Sequence, residues 1–152
     1  MEIERKWLIK NLPPIEYDER YEVHQFYLCI DPEVRVRSKR IFDGEELAPR
    51  ITIKGEGTLV REEIEFDIFP YQYQLLLDLC GKTPIEKDYY VYHKDGYEIE
   101  VSIVDNGAFI YAEVEFDSVE DAEKYVFPWA DAVEVTYDTK YKMKNYWKDT
   151  RL

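Results

Sequence analysis

From residue 2 to residue 9 polar and apolar side chains alternate along the chain. Glu2, Glu4 and Lys6 fall on one face of an extended strand, and Ile3, Arg5, Trp7 and Ile9 on the other. The same period of two predicts further strands over 21–30, 33–42, 47–54, 62–69, 84–94, 97–104, 108–116 and 133–137. Asp43-Gly44, Asp95-Gly96 and Asn106-Gly107 are hairpin signals, because glycine tolerates the positive φ that primed turns require. Such short connections imply antiparallel neighbours. A helix is predicted over 70–80, with Pro70 in its first turn, Leu75, Leu76 and Leu79 as its apolar patch and Gly81 as its stop. Asp117 or Ser118 can cap a second helix running to about Val126, with Val119, Ala122 and Val126 on one stripe. A short lysine-rich helix is predicted over 139–148. No linker, repeat or low-complexity tract divides residues 1–152, which read as a single domain of mainly antiparallel β structure with a few helices.

The apolar faces carry Val34 and Val36, Ile51 and Ile53, Ile64 and Phe66, Ile99 and Val101, and Val114 and Phe116. The polar faces sort by sign. Arg35, Arg37 and Lys39 form one basic run, and Arg50, Thr52 and Lys54 another. Arg61 leads into Glu63, Glu65 and Asp67. Glu98 and Glu100, then Glu113 and Glu115, are purely acidic. A sandwich with solvated outer faces would also alternate, but solvated faces tend to mix signs for cross-strand pairing. Segregated signs suit a surface that holds a polyanion on one wall and metal ions on another. In a sheet closed into a barrel, these faces would line the lumen and helices would cover part of the apolar exterior.

Charge narrows the partners. With 33 acidic against 20 basic residues the formal net charge is −13, which argues against general binding to nucleic acid or to anionic membranes. A polyphosphate remains compatible if the bases are gathered in one place. Cys29 and Cys80 lack C-x-x-C spacing and read as small core residues of a reduced compartment. No signal peptide or long apolar run is evident, so a cytoplasmic location is expected. His24 and His93 have no partner spacing that would suggest a zinc site.

The order of the motifs resembles the CYTH superfamily of triphosphate tunnel metalloenzymes. Its E-x-E-x-K opening is matched by Glu2, Glu4 and Lys6, its Q-x-Y-L strand by Gln25-Phe26-Tyr27-Leu28, and its R-x-R by Arg35 and Arg37. T-x-K is matched by Thr52 and Lys54, and R-x-E-x-E by Arg61, Glu63 and Glu65. The family's E-x-D and E-x-E strands appear as Glu98-Ile99-Glu100 and Glu113-Val114-Glu115. E-V-T appears as Glu134-Val135-Thr136, followed by Asp138, Lys140 and Tyr141. In the E-K-x-R-Y motif Lys87 is kept, but Tyr89 stands where the family has arginine. Met143 stands where small bacterial relatives carry asparagine.

The resemblance implies a closed eight-stranded antiparallel barrel whose tunnel binds triphosphate with Mg²⁺ or Mn²⁺. The small bacterial members hydrolyse inorganic triphosphate to pyrophosphate and phosphate. On this resemblance Lys6, Arg35, Arg37, Arg50, Lys54 and Arg61 would bind the phosphates. Glu2, Glu4, Glu113, Glu115 and Glu134 would hold one or two metals. Glu63, Glu65, Glu98 and Glu100 would support them, and Lys87 beside Tyr27 would help activate water, or serve only as a further phosphate ligand. A class IV adenylate cyclase, a thiamine triphosphatase and a non-enzymatic polyphosphate- or nucleotide-binding module are the alternatives. Exposed apolar barrel faces are compatible with a homodimer.

Overall fold

A computed structural model describes all residues from Met1 to Leu152. Its strands are β1 (Glu2–Ile9), β2 (Glu19–Cys29), β3 (Glu33–Ile41), β4 (Arg50–Lys54), β5 (Val60–Arg61), β6 (Glu63–Asp67), β7 (Ile85–Lys94), β8 (Tyr97–Val104), β9 (Phe109–Glu115) and β10 (Val133–Glu134). Three α-helices join them: α1 (Pro70–Cys80), α2 (Val119–Lys124) and α3 (Met143–Arg151), the last preceded by a 3₁₀ turn over Thr139–Tyr141.

The strands form one antiparallel sheet in the order β10-β1-β9-β8-β7-β2-β3-β4-β6. The sheet closes because the chain just before β6 turns back onto its first strand. β5 pairs with β1 through Glu2↔Arg61 and Ile3↔Val60, while β6 pairs with β4 from Arg50↔Asp67 to Lys54↔Glu63. Counting β5 and β6 as one broken stave, the barrel has eight staves: β1, β9, β8, β7, β2, β3, β4 and β5/β6. β10 covers the far end of β1 at Trp7↔Glu134 and Leu8↔Val133.

Polarity is reversed relative to a sandwich: charges point inward and the apolar faces point out under the helices. Trp7, Tyr90, Tyr92, Ile99, Val101, Val114 and Phe116 make one outer core with Ala122 of α2. After Lys124 the chain leaves the helix with Tyr125 extended, two residues short of Val126. Phe127 then stacks on Trp7 with ring centroids 4.6 Å apart. A second core joins Phe26, Tyr27, Val36, Ile85, Val104 and Tyr111 to Met143 and Trp147 of α3, which stops one end of the barrel. α1 begins at Pro70 and ends at Gly81 in the left-handed region at φ 68°, as its sequence signals predict. Its inward side is Tyr73, Leu76, Leu77 and Cys80. Leu75 and Leu79 are exposed, so only Leu76 of the expected patch packs inward. Asp95 and Gly96 both take positive φ in the β7–β8 hairpin.

Several boundaries differ from expectation: the strand over 133–137 shrinks to Val133–Glu134 and the strand over 21–30 begins at Glu19. β4 starts at Arg50 rather than residue 47, because Pro49 has no N–H to give the ladder. The segment 62–69 is broken at Glu62, whose carbonyl accepts from Gly55 N–H. The C-terminal helix is two pieces separated by extended Lys142. Cys29 is exposed and so is not a core residue, Cys80 is half-buried against the second core, and both thiols are free.

Candidate active site

The lumen is a cavity of about 500 Å³. Of the residues singled out by sequence, it is lined by Glu2, Glu4, Lys6, Tyr27, Arg35, Arg37, Arg50, Lys54, Arg61, Glu63, Glu65, Lys87, Glu100, Glu113 and Glu115. Register explains this gathering. Lys6 faces Glu113, which faces Glu100. Arg35 faces Thr52, which faces Glu65, and Lys54 faces Glu63. Strict alternation then turns every one of these side chains inward.

Two predicted residues lie outside. Glu134 is not a cavity carboxylate, because its two oxygens accept from Arg5 at 2.7 and 2.8 Å on the outer side of β1. Glu98 has the inward parity of Glu100 and pairs with His93 near the start of β8, but it does not line the cavity. A carboxylate oxygen of Glu98, one of Glu19 and a ring nitrogen of His93 lie within 4.8 Å of one another. Sequence reasoning also passed over lining residues. Glu33 shares the face of Arg35, Arg37 and Lys39, and Tyr111 shares that of Glu113 and Glu115, so their parity was available. Thr136, Asp138 and Tyr141, which the motif order picks out, line the cavity together with Lys142 from irregular chain, where no periodicity marks them.

Many of the bases are already held by acids. Lys54 Nζ donates to both oxygens of Glu2 at 3.0 and 3.2 Å, Arg61 to Glu33 at 3.1 Å, and Arg50 to Glu65 at 2.6 Å and Asp67 at 2.9 Å. Thr52 Oγ1 donates to Glu65 at 2.8 Å. Lys6 Nζ donates to the Tyr141 carbonyl at 2.6 Å and stands 4.1 Å from the centre of the Tyr111 ring. Lys87 is held differently. It is 5% exposed, and Nζ lies 5.2 Å from the same ring. Burial pushes its ammonium well below the usual lysine range; Glu113 opposes this, and Arg35, Arg37 and Lys6 reinforce it. Burial likewise lowers Arg37, with Arg35 adding to the effect.

The carboxylates crowd one another. Burial and the neighbouring Glu113 push Glu4 well above the usual range. Burial also works against ionised Glu113, but the hydrogen bond from Glu4 and the ammoniums of Lys6, Lys87 and Lys54 hold it at about 2. The pair therefore shares one proton. Glu63 and Glu115 are pushed up by burial and by Glu2. Glu100, buried and near Glu113, rises to about 7 despite a hydrogen bond from Tyr89. Hard oxygen donors that repel one another fit a hard divalent cation, and Glu2, Glu4, Glu63, Glu113 and Glu115 are the residues that could hold it.

A closed antiparallel barrel lined by bases on one wall and carboxylates on another defines a triphosphate tunnel protein. The chain is 32% identical over 149 residues to the inorganic triphosphatase of Nitrosomonas europaea, with 94% of each chain covered. The crystal structure of the inorganic triphosphatase NE1496 matches with a TM-score of 0.64 at 28% identity, over 96% of this chain and 93% of that one. A protein from Pyrococcus horikoshii shares the fold, with a TM-score of 0.57 at 21% identity, over 98% of this chain and 89% of that one. No protein-family model matches the chain. The chain belongs to the CYTH superfamily of triphosphate tunnel enzymes, in its inorganic triphosphatase branch.

Proposed function

We propose that this protein hydrolyses inorganic triphosphate to pyrophosphate and phosphate, with Mg²⁺ or Mn²⁺ held by the tunnel carboxylates. The observation that carries the reading is the single cavity in which Lys6, Arg35, Arg37, Lys54 and Lys87 converge opposite Glu2, Glu4 and Glu113. Phosphoryl transfer needs charge stabilisation and in-line positioning more than covalent help. Arg35 and Arg37 offer planar forks to phosphate oxygens, and Lys6 and Lys54 offer point charges. Bound to the carboxylates, the cation would supply charge neutralisation and Lewis acidity.

Lys87 is suited to the proton. As water adds to the terminal phosphorus, the P–O bond to the bridging oxygen breaks and pyrophosphate leaves with that bond's electrons. The water loses a proton, which the free amine of Lys87 can take; its lowered pKa makes that form accessible. Tyr27 OH accepts from Gln25 Nε2 at 3.2 Å, which fixes its phenol at the floor near Arg35. Tyr89 stands in the place of the family arginine and lies near Glu100 in the lumen, so the site offers one fork fewer to the phosphates.

Product analysis tests the reading. Purified protein with Mg²⁺ or Mn²⁺ should release pyrophosphate and phosphate from inorganic triphosphate in equal amounts. Cyclic AMP from ATP, thiamine diphosphate from thiamine triphosphate, or no product from any of the three would replace it with one of the alternatives.

A further inference from the structure

Four buried side-chain atoms have no hydrogen-bond partner: Gln25 Oε1, Arg35 Nε, Ser102 Oγ and Tyr111 OH. A buried polar group without a partner is a net cost to folding, and so calls for an explanation. Arg35, which lines the cavity, would find one in a bound phosphate. Tyr111 has no such explanation. Its side chain is 1% exposed and lines the cavity. Its ring is the platform for two ammoniums from different strands, Lys6 at 4.1 Å and Lys87 at 5.2 Å from the centroid. A phenylalanine would supply the same aromatic face without burying a hydroxyl.

Ser102 stands directly across from Tyr111 in the β8–β9 ladder and is equally buried, but it does not reach the cavity. A hydroxyl behind the phenol can donate to its oxygen and leave the phenolic hydrogen directed at whatever occupies the lumen. A polyphosphate held by both lysines would bring its oxygens, and the water that attacks it, to this end of the tunnel.

We propose that the Tyr111 hydroxyl donates a hydrogen bond to an oxygen of the reacting system, either a phosphoryl oxygen or the attacking water, and that Ser102 is its positioning residue. The proposal rests on the triphosphatase reading and adds a neutral donor to the charged ligands of that site.

Tyr111→Phe is the test. Three quantities are read: thermal unfolding of the metal-free protein, calorimetric binding of inorganic triphosphate with Mg²⁺, and steady-state hydrolysis. Because the phenolic hydrogen has no acceptor in the protein, removing the hydroxyl should change the unfolding temperature little. kcat/KM should nonetheless fall by about tenfold to a hundredfold, the range for one hydrogen bond to a charged group. A rise in KM with weaker calorimetric binding assigns the partner as a phosphoryl oxygen, and a fall in kcat with binding intact assigns it as the water. Ser102→Ala should move kcat/KM in the same direction by less, with the same split between kcat and KM. An unchanged kcat/KM in Tyr111→Phe overturns the proposal, as does an activity loss that merely follows a drop in unfolding temperature. Failure of the wild-type protein to turn over triphosphate would sink the underlying reading instead, so the two failures are distinct.

Discussion

Glu4 and Glu113 share one proton although both belong to the candidate cation site, and this sets two opposite consequences for a single substitution. Glu4→Gln imitates the protonated carboxyl that burial and Glu113 favour, so the metal-free barrel should keep its circular dichroism and should not fall in unfolding temperature at pH 8. Activity should fall at least about a hundredfold, the upper range for disturbing a ligand's outer partners. Wild-type turnover in that variant, or undiminished turnover in excess chelator, would remove the metal mechanism. Lys87 and Arg37 are separable by pH. Lys87 is an ammonium below its depressed pKa and a free amine above it, so a base role gives a rate that rises with pH through that value. In Lys87→Ala the rise should flatten, with kcat reduced and KM little changed. Arg37→Ala should raise KM and keep the rise. Because Arg37 is one of the charges that depress Lys87, its removal should move the rising limb to higher pH. Pre-steady-state and steady-state rates across pH decide the matter: a Lys87 variant with the limb intact leaves that lysine as a phosphate ligand only.

The C-terminal helix α3 closes the barrel end that carries Tyr27 and Tyr111, and one carboxylate ties it down. Asp105, in the β8–β9 turn, accepts from Arg151 at 2.8 and 3.1 Å, and also accepts from the Tyr146 hydroxyl. Burial raises the Asp105 carboxyl, but the hydrogen bonds from Arg151, Tyr146 and the Glu86 N–H outweigh it and leave its pKa lowered. A lowered carboxylate pKa contributes stability that is present above the ordinary aspartate value and is lost as pH falls through the folded value. Asp105→Asn, compatible with the positive φ of 45° at that position, should cost about 2 kcal/mol at pH 7. Urea unfolding should show the gap between variant and wild type closing toward pH 3. A gap that persists there would mean shape, not charge, anchors the helix. Elements such as β1, β3, β8 and α1 were legible because each is specified locally, by strict alternation or by paired Pro and Gly signals. The closure of the barrel was not: β5 is only two residues long, and its partner β1 lies nearly sixty residues away in the chain, so no local period could mark it. The site was legible wherever a side chain's face followed from parity, as with Arg35, Arg37, Glu113 and Glu115. It failed at Glu134, whose short strand sits outside the ring and delivers its carboxylate to Arg5. In the irregular chain around Thr136 and Asp138 only the order of motifs, not any period, could point to the site, because their position depends on tertiary contact alone.

At the scale of the whole molecule, a formal charge of −13 and a lumen holding Glu2, Glu4, Glu63, Glu113 and Glu115 make the empty barrel a strained electrostatic object that a cation would relax. The sign follows from the carboxyls that folding pushes up. Glu4, Glu63 and Glu115 have raised pKa values, so their burial costs nothing below the ordinary carboxylate range. It becomes a cost as pH rises toward and through the raised values. The metal-free protein should therefore lose stability from about pH 5 to pH 8 through these groups, and a divalent cation should restore it, since binding needs the deprotonated forms. At a hundredfold excess of Mg²⁺ or Mn²⁺ over its dissociation constant, linkage gives about 2.7 kcal/mol, or roughly 5–10 °C for a chain of this size. Differential scanning fluorimetry at pH 5 and pH 8 should show the larger shift at pH 8, and sodium chloride at matched ionic strength should give far less, because screening is not coordination. Glu4→Gln combined with Glu115→Gln, which leaves the buried Glu2–Lys54 ion pair intact, should not lower the metal-free unfolding temperature at pH 8 and should abolish most of the Mg²⁺ shift. Equal shifts at the two pH values, or a full shift in the double variant, would place the cation elsewhere than among these carboxylates, and would leave the basic wall of the tunnel to act on its substrate without them.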